Sequence, residues 1–247
     1  MSEKPEFRHT ELVGNIERRL LLRGSFSLGA LTLLSGCDIS DSDSVQKALG
    51  VMSRWNDRVQ AALFSGTRLA PEFDERLAVK NFRYNAWYPA DKGPKLDADN
   101  YRLKLAGLIA NKKPWSVREL YELPQATQVT RHVCVEGWNM IGKWTGTPLR
   151  TFLERVGADT SARYVGYECA DGYYEGMDME TALHPQTFMA FKLSDEILPQ
   201  KFGYPFKMRI PTKLGFKNAK WVTKIFVTNT QPHGFWPDRG YNWFSGI

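Results

Sequence analysis

Four segments of this chain hold residue types at spacings that can do chemistry. Arg131 to Trp138 reads R-H-V-C-V-E-G-W and places one thiol, Cys134, near the end of an alternating stretch. A lone thiolate at a strand end is a soft ligand for a thiophilic metal, and it is equally a small core residue. Arg131 and His132 would lower its pKa if they lay beside it. Lys213 to Lys220 reads K-L-G-F-K-N-A-K after Pro211. A glycine among lysines can turn backbone N–H groups and ammonium groups toward a phosphate, or the segment is a basic surface loop. It matches neither the P-loop nor the dinucleotide fingerprint. Residues 82–88, F-R-Y-N-A-W-Y, could wall a flat heterocycle or form a packed edge. In A-L-H-P, 182–185, His184 reads as a turn residue bonded to backbone rather than as a ligand.

The elements that must position these groups show in the hydropathy pattern. Residues 45–80 carry a helical mixture, with Val51, Trp55, Val59, Ala62 and Leu63 near a 3.6 spacing, which predicts a leading helix shielding the entry to the domain. Tyr101, Leu103 and Leu105 alternate with Arg102 and Lys104 as in a half-buried strand. Ser116 and Glu119 form a capping box that opens a short helix ended by Pro124. Thr127 to Val135 alternates again, with Val129, Val133 and Val135 on one face and Cys134 on the other. Pro148 opens a helix whose Leu149, Phe152, Leu153 and Val156 form one stripe. Tyr164 to Cys169 and Tyr173 to Met177 read as strands around an Asp171-Gly172 turn. Further strands are expected over 187–193, 206–210 and 220–228. The fold class is therefore α+β, mixed and β-rich, in a single domain over 81–247.

Residues 17–37 read as an address. Arg18-Arg19 precede three leucines, Arg23 and an uncharged run from Gly24 to Gly36, the layout of a twin-arginine export signal over residues 1–36. The run is shorter than the ~20 apolar residues a bilayer span needs. Leu34-Ser35-Gly36-Cys37 has the form of a lipobox, so that Cys37 would carry a lipid. Residues 37–80 would then be the tether and leading helix, the tether solvated by S-D-S-D-S. That export route carries folded proteins and suits enzymes that take up a complex cofactor before export. The expected compartment is the periplasm.

Composition narrows the classes. A net charge of +6 with scattered Lys and Arg lacks the dense run of a nucleic-acid groove, so no nucleic-acid partner is expected. Three cysteines without a C-x-x-C exclude a disulfide framework and a cysteine-built zinc or iron–sulfur site. There is also no C-x-x-C-H for a covalent haem.

Taken in order, R-H-V-C-V-E-G-W, W-T-G-T-P-L, Y-V-G-Y-E-C, A-L-H-P and P-T-K-L-G-F-K-N-A-K resemble the molybdopterin-binding domain of the sulfite oxidase superfamily, over about residues 80–228. The likeness is greatest to bacterial exported members that reduce protein methionine sulfoxide. It implies a molybdenum-molybdopterin cofactor with Cys134 as the protein's metal ligand and catalytic centre. Glu136 and His132 are candidate proton handlers. It further implies pterin contacts at Asn85, Tyr88, Cys169, Lys207, Asn218, Ala219 and Lys220. Cys169 stands where those relatives have threonine, Lys207 where they have arginine, and Phe202 replaces an asparagine. Glu136-Gly137-Trp138 follows the cysteine, where sulfite oxidases carry an arginine-bearing segment, which disfavours sulfite. The implied activity is oxygen-atom and electron transfer on a small or peptide-borne S-oxide or N-oxide. A separate membrane b-type cytochrome would be the redox partner, and the twin-arginine machinery the export partner. The alternatives are a sulfite dehydrogenase and, from another class, a solute-binding lipoprotein without redox activity.

Overall fold

The computed structural model describes residues 43–247. The export signal and the Cys37 lipobox lie outside the described residues. Every strand falls in one compact unit, Ser53–Ile247, and helix α1 (Asp43–Leu63) crosses the boundary after Met52. The helix expected over 45–80 therefore stops at Leu63. Beyond it, Gly66 and Pro71 interrupt helical geometry, and 64–80 runs as irregular chain with one 3-10 turn, Glu75–Leu77.

Two sheets carry the fold. The first has the order β1-β9-β4-β5, from Lys104–Gly107, Val222–Thr228, Tyr164–Cys169 and Tyr174–Asp178. Its β1 runs parallel to β9, and the other pairs are antiparallel. The second has the order β2-β3-β6-β7, from Ala126–Val133, Asn139–Pro148, Phe188–Leu193 and Glu196–Ile197, and β8 (Lys207–Arg209) also pairs with β6. The short helices α2 (Val117–Tyr121), α3 (Leu149–Arg155) and α4 (Met179–Ala182) fill the connections. The mixed α+β architecture is the expected one.

The capping box closes as read: Ser116 Oγ accepts from Glu119 N–H, and the Glu119 carboxylate accepts from Ser116 N–H. Those bonds and Lys113 hold the Glu119 carboxyl down at about 2. Pro148 caps α3, whose stripe of Leu149, Phe152, Leu153 and Val156 is wholly buried. These side chains join Leu105, Val165, Tyr167, Ile225 and Val227 of the first sheet and Met189, Phe191 and Met208 of the second. The main core therefore sits where both sheets meet α2 and α3. A smaller cluster of Phe82, Trp144, Ala190, Leu193 and Leu198 covers part of the second sheet.

Strand β2 inverts the ordinary pattern. Its buried residues are the polar ones, Gln128, Thr130 and His132, while Val129 and Val133 are half-buried. The buried polar atoms are partly satisfied from within. Gln128 Nε2 donates to Gln186 O at 3.0 Å, and Arg209 Nη2 donates to Thr130 Oγ1 at 3.0 Å and to Arg131 O. On the other face, Phe73 N–H donates to Val129 O, and the Arg131 guanidinium lies 4.9 Å over the Phe73 ring.

Candidate active site

Strand β2 ends at Val133, and Cys134 opens the turn into β3 rather than ending the strand. Cys134 N–H donates to Trp138 O at 2.9 Å and Gly137 N–H to Cys134 O at 3.1 Å. Gly137 takes φ +86°, which glycine adopts without strain. The turn points the thiol into a cleft of about 220 Å³ whose walls include Asn85, Glu136, Asp171, Asn218, Ala219 and Lys220. Trp87, Tyr173, Phe216, Trp236 and Tyr241 line the same cleft. Trp87 stacks on Phe235 at 4.5 Å and on Tyr173 at 5.7 Å, so this aromatic side is a packed wall.

Burial pushes the Cys134 thiol above its ordinary value, and the Glu136 carboxylate adds to that. The Glu136 N–H, the Asn85 side chain and Arg83 oppose it. The expected lowering by Arg131 and His132 does not occur, because Arg131 lies over Phe73 on the outer face of β2 and His132 is neutral. Burial drives the His132 imidazole far below its usual range, and the nearby cations Lys207, Arg209 and Lys220 add to it. His132 sits behind Gly215, where a glycine Cβ would come within 2.7 Å of its Nε2. It is wedged between the Phe82 and Trp138 rings and does not line the cleft. Glu136 does line it, with Oε2 accepting from Trp138 Nε1 at 2.8 Å.

Of the lysines in 213–220, only Lys220 faces the cleft. Lys213 is buried against the Phe64 and Phe244 rings, and Lys217 makes a buried ion pair with Glu175 at 2.7 Å. Lys220 Nζ donates to Asn85 O at 2.7 Å and rests over the Tyr84 and Trp221 rings. Burial lowers its ammonium to about 8. The Asn218 side chain turns inward: Oδ1 accepts from Arg209 Nη1 at 2.9 Å and Ile210 N–H at 2.8 Å, and Nδ2 donates to Leu214 O. The remaining candidates lie one layer out. Tyr88 donates its hydroxyl to Asp171 Oδ2 at 2.8 Å. Cys169 is a buried thiol at the end of β4, pushed far up by burial. Lys207 is buried with its ammonium 5.2 Å from the Trp144 ring.

Sequence reading passed over Arg209, Asp171 and the aromatic residues Phe216, Trp236 and Tyr241. Arg209 is fully buried and ties β2 to Asn218, a role that a short K-M-R strand does not announce. The aromatic density near the C-terminal end was visible in the sequence.

Lys220 in the cleft wall, with Lys207 and Arg209 behind it, leaves positive charge to be met. Among the described residues, Lys207, Arg209 and Lys220 have no carboxylate within ion-pair distance, and Ala219 and Lys220 N–H have no acceptor. Burial pushes Lys207 far down, with Lys220 and Arg209 adding to it, and burial alone takes Arg209 to about 9. Buried cations beside free N–H donors fit a phosphate group. In the same cleft, a thiol is the fitting donor for a soft metal. The residues present thus suit a metal-bearing cofactor with a phosphate tail.

Fold and site together define an oxidoreductase domain that takes a molybdenum pterin. The chain belongs to the family described as the oxidoreductase molybdopterin binding domain, whose model matches residues 90–236. Its cofactor is accordingly molybdenum-molybdopterin, and the reading as a solute-binding protein without redox activity falls. Among curated relatives, a protein of Azospira oryzae, provisionally named protein-methionine-sulfoxide reductase subunit YedZ1, is 51% identical over 229 residues, 93% of this chain and 87% of that protein. The protein-methionine-sulfoxide reductase catalytic subunit MsrP of Ralstonia nicotianae is 31% identical over 183 residues, 66% of this chain. That match spans only 55% of the Ralstonia protein. Among solved structures, the sulfane dehydrogenase SoxCD of Paracoccus pantotrophus aligns with a TM-score of 0.52 at 20% identity, covering 56% of this chain and 40% of that one, a likeness of fold.

Proposed function

We propose that this chain is an exported reductase of S-oxides, peptide-borne methionine sulfoxide foremost, with N-oxides as the related class. The observation that carries the reading is the cleft itself: Cys134, the Ala219 and Lys220 loop and an aromatic wall line one cavity, with Asn85 touching both the thiol and the Lys220 ammonium. The relatives' names point to the same substrate. Cys134 would be the metal ligand. The Ala219 and Lys220 amides, with the Lys220 ammonium group, would hold the phosphate, backed by the charge of Lys207 one layer out, while Asn85 braces both Lys220 and the thiol. When bound, the molybdenum cofactor supplies the oxygen-atom and electron transfer. Tyr88 and Cys169 would support the pterin from the layer behind. Glu136 can hold a proton at its carboxylate beside the thiol, a role that buried His132 cannot share. Trp87, Trp236 and Tyr241 offer ring faces and edges that suit a thioether.

Sulfite is disfavoured by charge. Among the described residues the cleft lining holds no arginine, and its lysine, Lys220, is committed to the phosphate in this reading, so a dianion beside the thiol would meet the Glu136 carboxylate. Steady-state assays with methionine sulfoxide and with sulfite test the reading. Turnover of the sulfoxide with little of sulfite is expected, and the converse overturns it.

Electrons would come from a separate membrane b-type cytochrome. No helix among the described residues is long and apolar enough to cross a membrane. Export through the twin-arginine machinery to the periplasm, and a lipid anchor at Cys37, complete the proposal. They rest on the sequence of residues 17–37.

A further inference from the structure

The loop that offers its N–H groups to the cleft is held from outside the cleft. It begins as a 3-10 turn, Gly215–Lys217, and continues through Asn218, Ala219 and Lys220. Three side chains of the β4–β5 hairpin reach it. Tyr167 Oη donates to Lys217 O at 2.6 Å, Tyr173 Oη donates to Phe216 O at 2.8 Å, and Glu175 Oε1 accepts from Lys217 Nζ at 2.7 Å. Tyr167, Glu175 and Lys217 are each no more than 1% exposed, so these bonds face no competition from water. Lys217 Nζ also lies 4.6 Å from the Trp243 ring, which closes the remaining side. Two successive carbonyls of the turn are thus fixed from the hairpin, and the N–H groups of Lys217 and Asn218 close the turn on Leu214 O and Gly215 O, so the chain enters Ala219 and Lys220 from a held turn.

We propose that the β4–β5 hairpin is the mount of the phosphate-facing loop, with Tyr167, Tyr173 and Glu175 as positioning residues that set Ala219 and Lys220 before the cofactor arrives. Lys217 is then an internal strut and no ligand, although it sits among the lysines that the motif offers to a phosphate. A loop ordered in advance spends less conformational entropy on binding, so its loss shows as faster release. The proposal rests on the reading that this cleft takes the pterin phosphate, and it is independent of which substrate the enzyme reduces.

The experiment follows pterin release from holoprotein matured in a molybdenum-replete host, by the fluorescence of released pterin, beside the unfolding midpoint of each variant. Tyr167→Phe deletes one hydroxyl and keeps the ring. It is expected to release pterin about fivefold faster, within what one buried hydrogen bond is worth. Glu175→Gln alone strands a charge and risks misfolding, so the paired Glu175→Gln with Lys217→Met removes both charges together and is expected to speed release similarly. Tyr174→Phe, on the same hairpin but donating to Asp238, is the control and is expected to release at the wild-type rate. A merely structural role would lower the unfolding midpoints without separating Tyr167→Phe from Tyr174→Phe in release. Wild-type release from both Tyr167→Phe and the paired variant overturns the mount. Wild-type protein without pterin overturns it together with the cofactor reading, whereas pterin-loaded protein inactive on S-oxides leaves the mount standing and removes only the substrate.

Discussion

At the scale of single residues, the decisive group is Cys134, presented by a turn and pushed above its ordinary pKa by burial. Cys134→Ser exchanges a soft sulfur donor for a hard hydroxyl of much higher pKa. The variant is expected to fold, to retain pterin through contacts elsewhere, and to lose turnover with a changed molybdenum electronic spectrum. An unchanged spectrum with native turnover would remove Cys134 from the metal. Charge in the cleft is tested by Lys220→Glu against Lys192→Glu, two equal changes in net charge. Lys220 adjoins free N–H donors at the cleft, whereas Lys192 lies in β6 with no part in the site. Cofactor content measured on both should fall by more than half for Lys220→Glu only, since a reversed charge acts at short range. Equal content would make 213–220 an ordinary basic loop.

At the scale of elements, Lys213 couples local burial to pH. Its ammonium is 1% exposed, 2.8 Å from the Phe244 ring centre and 3.8 Å from Asp178. Burial lowers it to about 7; Lys217 adds to that, while Asp178, Asp57 and Glu180 pull the other way. Between about pH 7 and the free-lysine value near 10.4 the unfolded chain binds the extra proton, so stability rises with pH across that window. Lys213→Met is expected to flatten the rise, read as unfolding midpoints at pH 7 and 9. A wild-type slope surviving in the variant would show that Lys213 is not its source. How much of the fold the sequence showed follows the same physics. The capping box, the α3 stripe and the β4–β5 hairpin were legible because their signals are local. Strand β3 was not seen, since Gly142, Gly146 and Pro148 read as punctuation. Those glycines answer to distant neighbours: a Cβ at Gly146 would run into the Met189 carbonyl oxygen, and one at Gly142 would lie 3.1 Å from the Phe82 ring. In the site, the order of motifs placed Cys134, Glu136, Asn85 and the 218–220 loop in one cleft. The inward turn of Lys213 and Lys217 depended on Phe244 and Glu175, which no spacing rule links to them.

At the scale of the whole molecule, export is tested by replacing Arg18-Arg19 with Lys-Lys. The twin-arginine route reads paired guanidinium groups, so folded precursor should accumulate in the cytoplasm, as cell fractionation would show. Normal periplasmic yield would end that reading. The cleft also draws on both sheets. Cys134 comes from the β2–β3 turn of the second sheet, Asp171 from the β4–β5 turn of the first, and the 213–220 loop runs from β8 to β9, between them. A molecule gripped at all three places fastens the sheets together, so occupancy and folding share one free energy, about 4 kcal/mol for a ligand at a thousand times its dissociation constant. Loaded and empty chains should accordingly melt as two populations. The heat absorbed in the upper transition would then report the matured fraction of any preparation, with no need to supply a substrate.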